Sequence, residues 1–139
     1  MDSNPNDPPT ALILNGDLGF VLALCHELSN RHVAIFPFGT ASEARSIMGR
    51  YRLSPDVLVI DCSYPGACSF AEGIAKGRPE VKIVGIVSKR YHCKKCANWL
   101  AVTLRDPDDT APERIPHCVE VVWGLLKNRI RFIRNPGET

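Results

Sequence analysis

Residues 56–66 read DVLVIDCSYPG, and this stretch decides the fold that the sequence predicts. Residues 57–60 are four consecutive apolar β-forming residues without polar alternation, which is typical of a parallel strand buried on both faces. An acidic side chain, Asp61, follows at once, and the Tyr64-Pro65-Gly66 segment predicts a turn. The residues alone leave two interpretations for Asp61: a carboxylate in a site at the end of a central strand, or a polar strand terminus or helix cap.

Four further apolar runs alternate with segments of helical period. The runs cover residues 11–14, 33–38, 81–87 and 100–104. Helices are predicted between the runs and after the last one, where the final helix is expected over Pro112–Ile130. Strands that alternate with helices through short connections predict an α/β fold with a doubly wound parallel sheet. Ligand sites in such sheets lie at the carboxyl ends of the strands.

Apolar side chains recur at helical spacing in the segments between the runs, and we expect them to face the sheet. The stripes of the first two helices are Val21, Leu24, Cys25 and Leu28, and then Ala44, Ile47, Met48 and Tyr51. Thr40 or Ser42 is predicted to cap the second helix. Cys118 and Trp123 lie within or beside the stripe of the final helix and are expected in the core. Pro37 interrupts the second run, which favours an edge strand.

Length and composition bound the organisation of the chain. Its 139 residues suffice for one domain, and a net charge of +2 is too small to indicate a nucleic-acid partner. Residues 1–10 are polar and proline-rich and lack the features of a signal peptide, so we expect a disordered leader and a cytoplasmic protein. Residues 11–130 are predicted to form the domain and residues 131–139 a basic tail. No apolar stretch is long enough to span a bilayer.

The order and spacing of these elements, together with Asp61, Pro65, Ser88 and Pro107, resemble the receiver domain of response regulators over residues 11–127. The resemblance implies a flavodoxin-like, five-stranded parallel sheet of order 2-1-3-4-5 with helices on both faces. It implies that Asp61 is the phospho-acceptor and that the Ser88 hydroxyl contacts the phosphoryl group. It also implies a non-enzymatic module of phosphorelay, or two-component, signalling.

Four positions depart from the pattern that this resemblance implies. The family ends its first strand with paired acids that hold Mg²⁺, but Asn15 and Gly16 stand here, and Asp17 falls one position later. Asp106 stands where the family has a lysine. Mg²⁺ prefers carboxylate oxygens, and phosphoryl transfer depends on positive charge near the phosphoryl group. We therefore expect an atypical member with weak Mg²⁺ binding, in which phosphorylation of Asp61 is weakened or lost.

The resemblance also implies how such a module acts. A stand-alone receiver domain would bind a protein partner, either a sensor histidine kinase or another regulator, through the fourth helix, fifth strand and last helix. Neither a membrane nor nucleic acid is expected as a partner, and a homodimer is left open. Any switching would bias an existing two-state equilibrium; in the family phosphorylation supplies that bias, and whether Asp61 still receives it is left open.

A second motif supports an alternative of a different class. His92, Cys93 and Cys96 form a short HCKKC segment, and two cysteines at this spacing bind Zn²⁺ or form a redox pair. Cys68, and with less support Cys62, could complete a zinc site from the loop after the third strand. The simpler interpretation, which we favour, is unpaired thiols on a short helix. The alternative function is a metal- or thiol-dependent protein that uses Cys93 and Cys96 on the same scaffold.

Overall fold

The structure, a computed structural model, describes residues 8–62, 64–87, 102–104 and 114–138. The strands are β1 (Thr10–Leu14), β2 (Ala34–Phe38), β3 (Val57–Asp61), β4 (Lys82–Val87) and β5 (Val102–Leu104). The helices are α1 (Leu18–Ser29), α2 (Ala41–Tyr51), α3 (Ala67–Gly77) and α4 (Arg114–Glu138). The helix predicted between the fourth and fifth strands lies outside the described residues.

The five strands form one parallel sheet in the order β2-β1-β3-β4-β5. This arrangement confirms the predicted fold class and strand order. β3 lies between β1 and β4, which makes it a central strand, and β2 is an edge strand as the proline at position 37 predicted. The chain adds β2 on one side of β1 and then β3, β4 and β5 on the other side. Sheets of this type place their ligand sites at such a switch point, which here lies between β1 and β3.

Alternate residues of each strand point to opposite faces of the sheet, and both faces are covered. Ile13 and Val59 pack with α1 and α4 in one apolar layer, whereas Leu12 and Leu58 pack with α2 and α3 in the other. All four side chains are at most 1 % exposed. Burial on both faces explains why the strand sequences show no polar alternation.

The described helices pack much as the sequence predicts. In α4 the side chains of Cys118, Val119, Val122 and Leu126 are buried against α1 and the sheet, and Trp123 is partly buried beside them. The helix extends past the predicted end at Ile130, into the segment expected to be a basic tail. The extension runs through Pro136 and Gly137, which are the poorest helix formers, so helix propensity does not account for it. No helix in the described part of the chain has the length and apolar character needed to cross a membrane.

The prediction that Tyr51 lies in the core is wrong, because its side chain is 68 % exposed. Arg52 adopts a left-handed conformation (φ 51°) directly after α2, and the N–H groups of Arg52 and Leu53 both donate to the carbonyl of Met48. The 6→1 bond from Leu53 is the one found in the Schellman motif, in which the residue after the left-handed one contacts the helix. Leu53 therefore packs against the core layer of α2 and α3 in place of Tyr51.

Candidate functional site at the ends of β1 and β3

Asp61 is the last residue of β3 and is partly buried. It continues the alternation of Val57 and Val59, whose side chains face α1 and α4. Leu14, the last residue of β1, pairs with Ile60, so Asn15 and Asp61 are the next residues along two neighbouring strands. The fold thus brings these two candidate residues to the same carboxyl edge of the sheet.

Asn15 is buried, with 4 % of its surface exposed. Its backbone N–H donates to the carbonyl of Phe38 at 3.3 Å, and its side-chain Oδ1 accepts a hydrogen bond from the N–H of Asp17 at 2.8 Å. Among the described residues the Nδ2 atom finds no hydrogen-bond partner, although it is buried. Burial of an unsatisfied amide donor costs about 1–3 kcal/mol, so this atom opposes folding where it lies. Asn15 nevertheless fixes the turn that leads from β1 into α1.

Asp17 has a structural role in the same turn. It is the N-cap of α1, with an extended backbone (φ −87°, ψ 100°), and its Oδ1 accepts a hydrogen bond from the N–H of Phe20 at 3.2 Å. A carboxylate is well placed there because it meets the exposed N–H groups and the positive end of the helix dipole. The acid that falls one position late in the sequence is therefore engaged as a helix cap.

Tyr64 is a site residue that the sequence indicated only as part of a turn. A Cβ atom added to Gly16 would lie 2.8 Å from Cε1 and 3.2 Å from Cδ1 of the Tyr64 ring. The turn after β3 brings the ring to this position, because the N–H of Tyr64 donates to the carbonyl of Asp61 at 3.0 Å. Real Cβ atoms essentially never approach another atom as closely as 2.8 Å. Only glycine fits at position 16 while the ring stays in place.

Two of the cysteines proposed for a metal site lie next to this turn. Cys62 is buried in the layer of α2 and α3, and the Sγ of Cys68 lies 3.8 Å from the Cys62 carbonyl oxygen, to which it donates. His92, Cys93 and Cys96 lie outside the described residues. Among the residues that the structure does describe, no group of three or more metal-ligating side chains occurs, so the structure gives no support for zinc.

Two further candidates also fall outside the described residues. β4 ends at Val87 and β5 at Leu104, and Ser88 and Asp106 lie beyond these ends. Their predicted roles stay predictions.

The described residues of the site fit a magnesium ion poorly. Mg²⁺ in proteins is held by carboxylates together with other oxygen ligands in a strict octahedral geometry. Asp61 supplies one carboxylate, the Oδ1 of Asn15 already accepts a hydrogen bond, and Asp17 caps α1. Gly16 supplies no side chain, and the ring of Tyr64 blocks the space next to it.

Solved structures with the same fold identify the architecture. The response regulator TrrA from Thermotoga maritima, solved in complex with Mg²⁺ and beryllofluoride, superposes with a TM-score of 0.67 at 17% identity and covers 85% of this chain and 99% of its own. A response regulator receiver domain protein from Methanospirillum hungatei gives a TM-score of 0.63 at 16% identity, with coverages of 86% and 98%. The chain has the fold of a receiver domain.

TrrA has also been solved in complex with a protein partner. The complex of histidine kinase ThkA with TrrA contains a chain that superposes with a TM-score of 0.64 at 17% identity, covering 85% of this chain and 98% of that one. No family model and no curated protein matches the sequence. At these identities the comparison establishes the receiver fold, and the function is argued from the site.

Proposed function

We propose that this chain is an atypical receiver domain of two-component signalling, which acts by binding a protein partner and in which phosphorylation of Asp61 is weakened. The observation that carries the proposal is the composition of the carboxyl edge. Asp61 ends the central strand β3, and the neighbouring strand presents a buried, neutral Asn15 in the place where the family has an acid.

The chemical argument concerns charge. A phosphoryl group in transfer carries spread negative charge, and catalysis consists almost entirely of positioning and of electrostatic stabilisation by cations. A site with one strand-end carboxylate and one neutral amide attracts a divalent cation weakly. Asp61 is therefore present as an acceptor, but the cation that would make phosphoryl transfer to it efficient is bound only weakly. Ser88 is proposed to contact the phosphoryl group, and Asp106 to oppose it, from outside the described residues.

The proposed partner is a sensor histidine kinase or another regulator, and the proposed location is the cytoplasm. Support comes from the receiver-fold neighbour TrrA, which is solved in complex with a histidine kinase. Because such a module works by association and not by turnover, we propose that the chain is not an enzyme. Its response would be a shift in a pre-existing equilibrium.

Phosphorylation and partner binding can be tested separately. The full chain and its Asp61→Asn variant are incubated with acetyl phosphate and Mg²⁺, and incorporation is followed by intact-mass spectrometry. The wild type is expected to label slowly and substoichiometrically, and the variant not at all. Rapid, complete labelling of Asp61 would overturn the weakened phosphotransfer.

The partner arm uses the same pair of proteins as baits. The captured proteins are identified by mass spectrometry, and a histidine kinase or a response regulator is expected with both baits in equal amounts. Loss of that protein from the Asp61→Asn bait would show that association depends on the phosphorylated aspartate, which contradicts the proposal.

A further inference from the structure

The space beside Gly16 suggests a second reason for weak cation binding, in addition to the lack of acidic ligands. Two independent observations concern residues at the end of β1. The Nδ2 of Asn15 is buried without a hydrogen-bond partner in the described part of the chain, and the ring of Tyr64 lies where a side chain at position 16 would begin. The second observation bears on sterics, because a side chain added at position 16 would meet an aromatic ring.

Two kinds of contact position Tyr64, one to its backbone and one to its ring. The backbone is fixed by two hydrogen bonds: the Tyr64 N–H donates to the Asp61 carbonyl at 3.0 Å, and the Tyr64 carbonyl accepts from the N–H of Ala67 at 3.1 Å. Gly66 takes a left-handed conformation (φ 81°) that closes the turn into α3. The Tyr64 side chain is partly buried against the core layer of α2 and α3. Moving the ring off Gly16 would remove that packing, so the ring does not yield freely to a new side chain.

We propose that Tyr64 is a plug on the cation site: its ring, seated on Gly16, excludes any acidic ligand at position 16. The ring would therefore keep cation binding weak even if an acid replaced Gly16, so the obstacle is steric as well as electrostatic. Restoring the acids at positions 15 and 16 would then not restore binding unless Tyr64 is truncated too. This inference rests on the proposed function, because it takes Mg²⁺ as the ion that is excluded. The contact between the Tyr64 ring and Gly16 does not depend on the proposed function.

The first test measures Mg²⁺ binding by isothermal titration calorimetry. The full chain is compared as the Asn15→Asp/Gly16→Asp double variant and as the triple variant that adds Tyr64→Ala. The triple variant is expected to bind at least about tenfold more tightly, a difference of about 1.4 kcal/mol. The matched control adds Tyr51→Ala to the double variant, because Tyr51 is a tyrosine exposed on α2, and no gain is expected. Equal affinity of the double and triple variants would overturn the plug.

The second test needs no metal and works where the acidic variants fold poorly. Gly16→Ala and Tyr64→Ala are combined in a double-mutant cycle and measured by urea unfolding. Gly16→Ala is expected to lower the urea midpoint when Tyr64 is present and to leave it unchanged or raised when Tyr64 is alanine. Gly39→Ala is the control glycine, since a Cβ there meets nothing within 4 Å, and its effect should add to that of Tyr64→Ala. Additive effects of Gly16→Ala and Tyr64→Ala would overturn the proposal.

The two tests distinguish failure of the plug from failure of the proposed function. If the wild type labels rapidly with acetyl phosphate, the weakened phosphotransfer fails, while non-additivity in the cycle would still establish the contact between Tyr64 and Gly16. If the wild type is poorly labelled and the cycle is additive, the plug fails and the proposed function stands on charge alone.

Discussion

The side-chain oxygen of Asn15 accepts a hydrogen bond from the backbone N–H of Asp17 at 2.8 Å, and Asp17 in turn caps α1. The two residues thus form a continuous link from the end of β1 to the start of the helix. This link defines the role of the acid that follows Gly16. Asp17 accepts a hydrogen bond from the N–H of Phe20, one of the groups at the start of α1 that lack a partner within the helix, as short polar N-cap residues do in general.

The first prediction follows from this capping role. Asp17→Ala should lower the free energy of unfolding by about 1 kcal/mol, whereas Asp17→Ser, which can also cap, should lower it by a few tenths at most. Urea unfolding measures both. The response of the chain to Mg²⁺ should be the same in Asp17→Ser as in the wild type. A large change in that response would assign Asp17 to the cation site and contradict the capping role.

The second prediction tests the cap of α2. The Oγ1 of Thr40 accepts a hydrogen bond from the N–H of Glu43 at 3.1 Å, with Thr40 in an extended conformation. Thr40→Ala should lower the free energy of unfolding by about 1 kcal/mol. Ser42, the other candidate from the sequence, lies inside the helix and is exposed, so Ser42→Ala should change it by less than about 0.5 kcal/mol. The opposite ranking by urea unfolding would refute this assignment.

The third prediction concerns the link between the turn that follows α1 and helix α4. The guanidinium of Arg31 lies 2.6 Å from the Glu120 carboxylate and 5.6 Å from the centre of the Trp123 ring. Because the pair is partly exposed, each contact is worth at most about 1 kcal/mol. Arg31→Ala should lower the free energy of unfolding by about 1 kcal/mol, and part of that difference should disappear in 1 M salt. The control is Arg50→Ala, an exposed arginine on α2, for which little change is expected. Equal effects of the two substitutions would contradict the link.

The fourth prediction uses pH and the buried thiol of Cys118. Burial raises the pKa of this thiol from 9.0 to about 12. The unfolded thiol ionises above pH 9 while the folded one stays protonated, so the stabilisation is complete below pH 9 and is lost as pH rises towards 12. The slope in that window is at most about 1.4 kcal/mol per pH unit. The free energy of unfolding of the wild type should fall more steeply above pH 9 than that of Cys118→Ala. Parallel pH profiles would show that the thiol is not shielded.

Much of the fold could be predicted because its signals are local. The uninterrupted apolar runs of β1 and β3 indicated strands covered on both faces, Pro37 indicated the edge strand, and the helical stripes indicated which side chains of α1 and α4 meet the sheet. The failure at Tyr51 has an equally local cause. The periodicity continues to that residue, but the left-handed turn at Arg52 transfers the packing to Leu53.

The candidate site was harder to predict because its decisive contact is not local. Asp61 and Asn15 could be assigned to the carboxyl edge from strand ends alone. The contact of Tyr64 with Gly16 joins residues from two different turns, and no spacing rule relates an aromatic side chain after β3 to a glycine after β1. The sequence offered two signals, a glycine at position 16 in place of an acid and an aromatic residue, Tyr64, in the turn after the neighbouring strand β3. The capping role of Asp17 could likewise be read only once the start of α1 was known.

The central claim is that Asp61, the proposed acceptor, lies in a site that binds a divalent cation only weakly. It is tested most directly by titrating the ¹⁵N-labelled full chain with Mg²⁺ and beryllofluoride, which stands in for the phosphoryl group, while following the amide signals of Asn15, Asp61 and Cys62. The account predicts no saturable shift at millimolar Mg²⁺ and a spectrum that matches that of Asp61→Asn under the same conditions. Saturating, one-to-one shifts of these signals in the wild type but not in Asp61→Asn would contradict it.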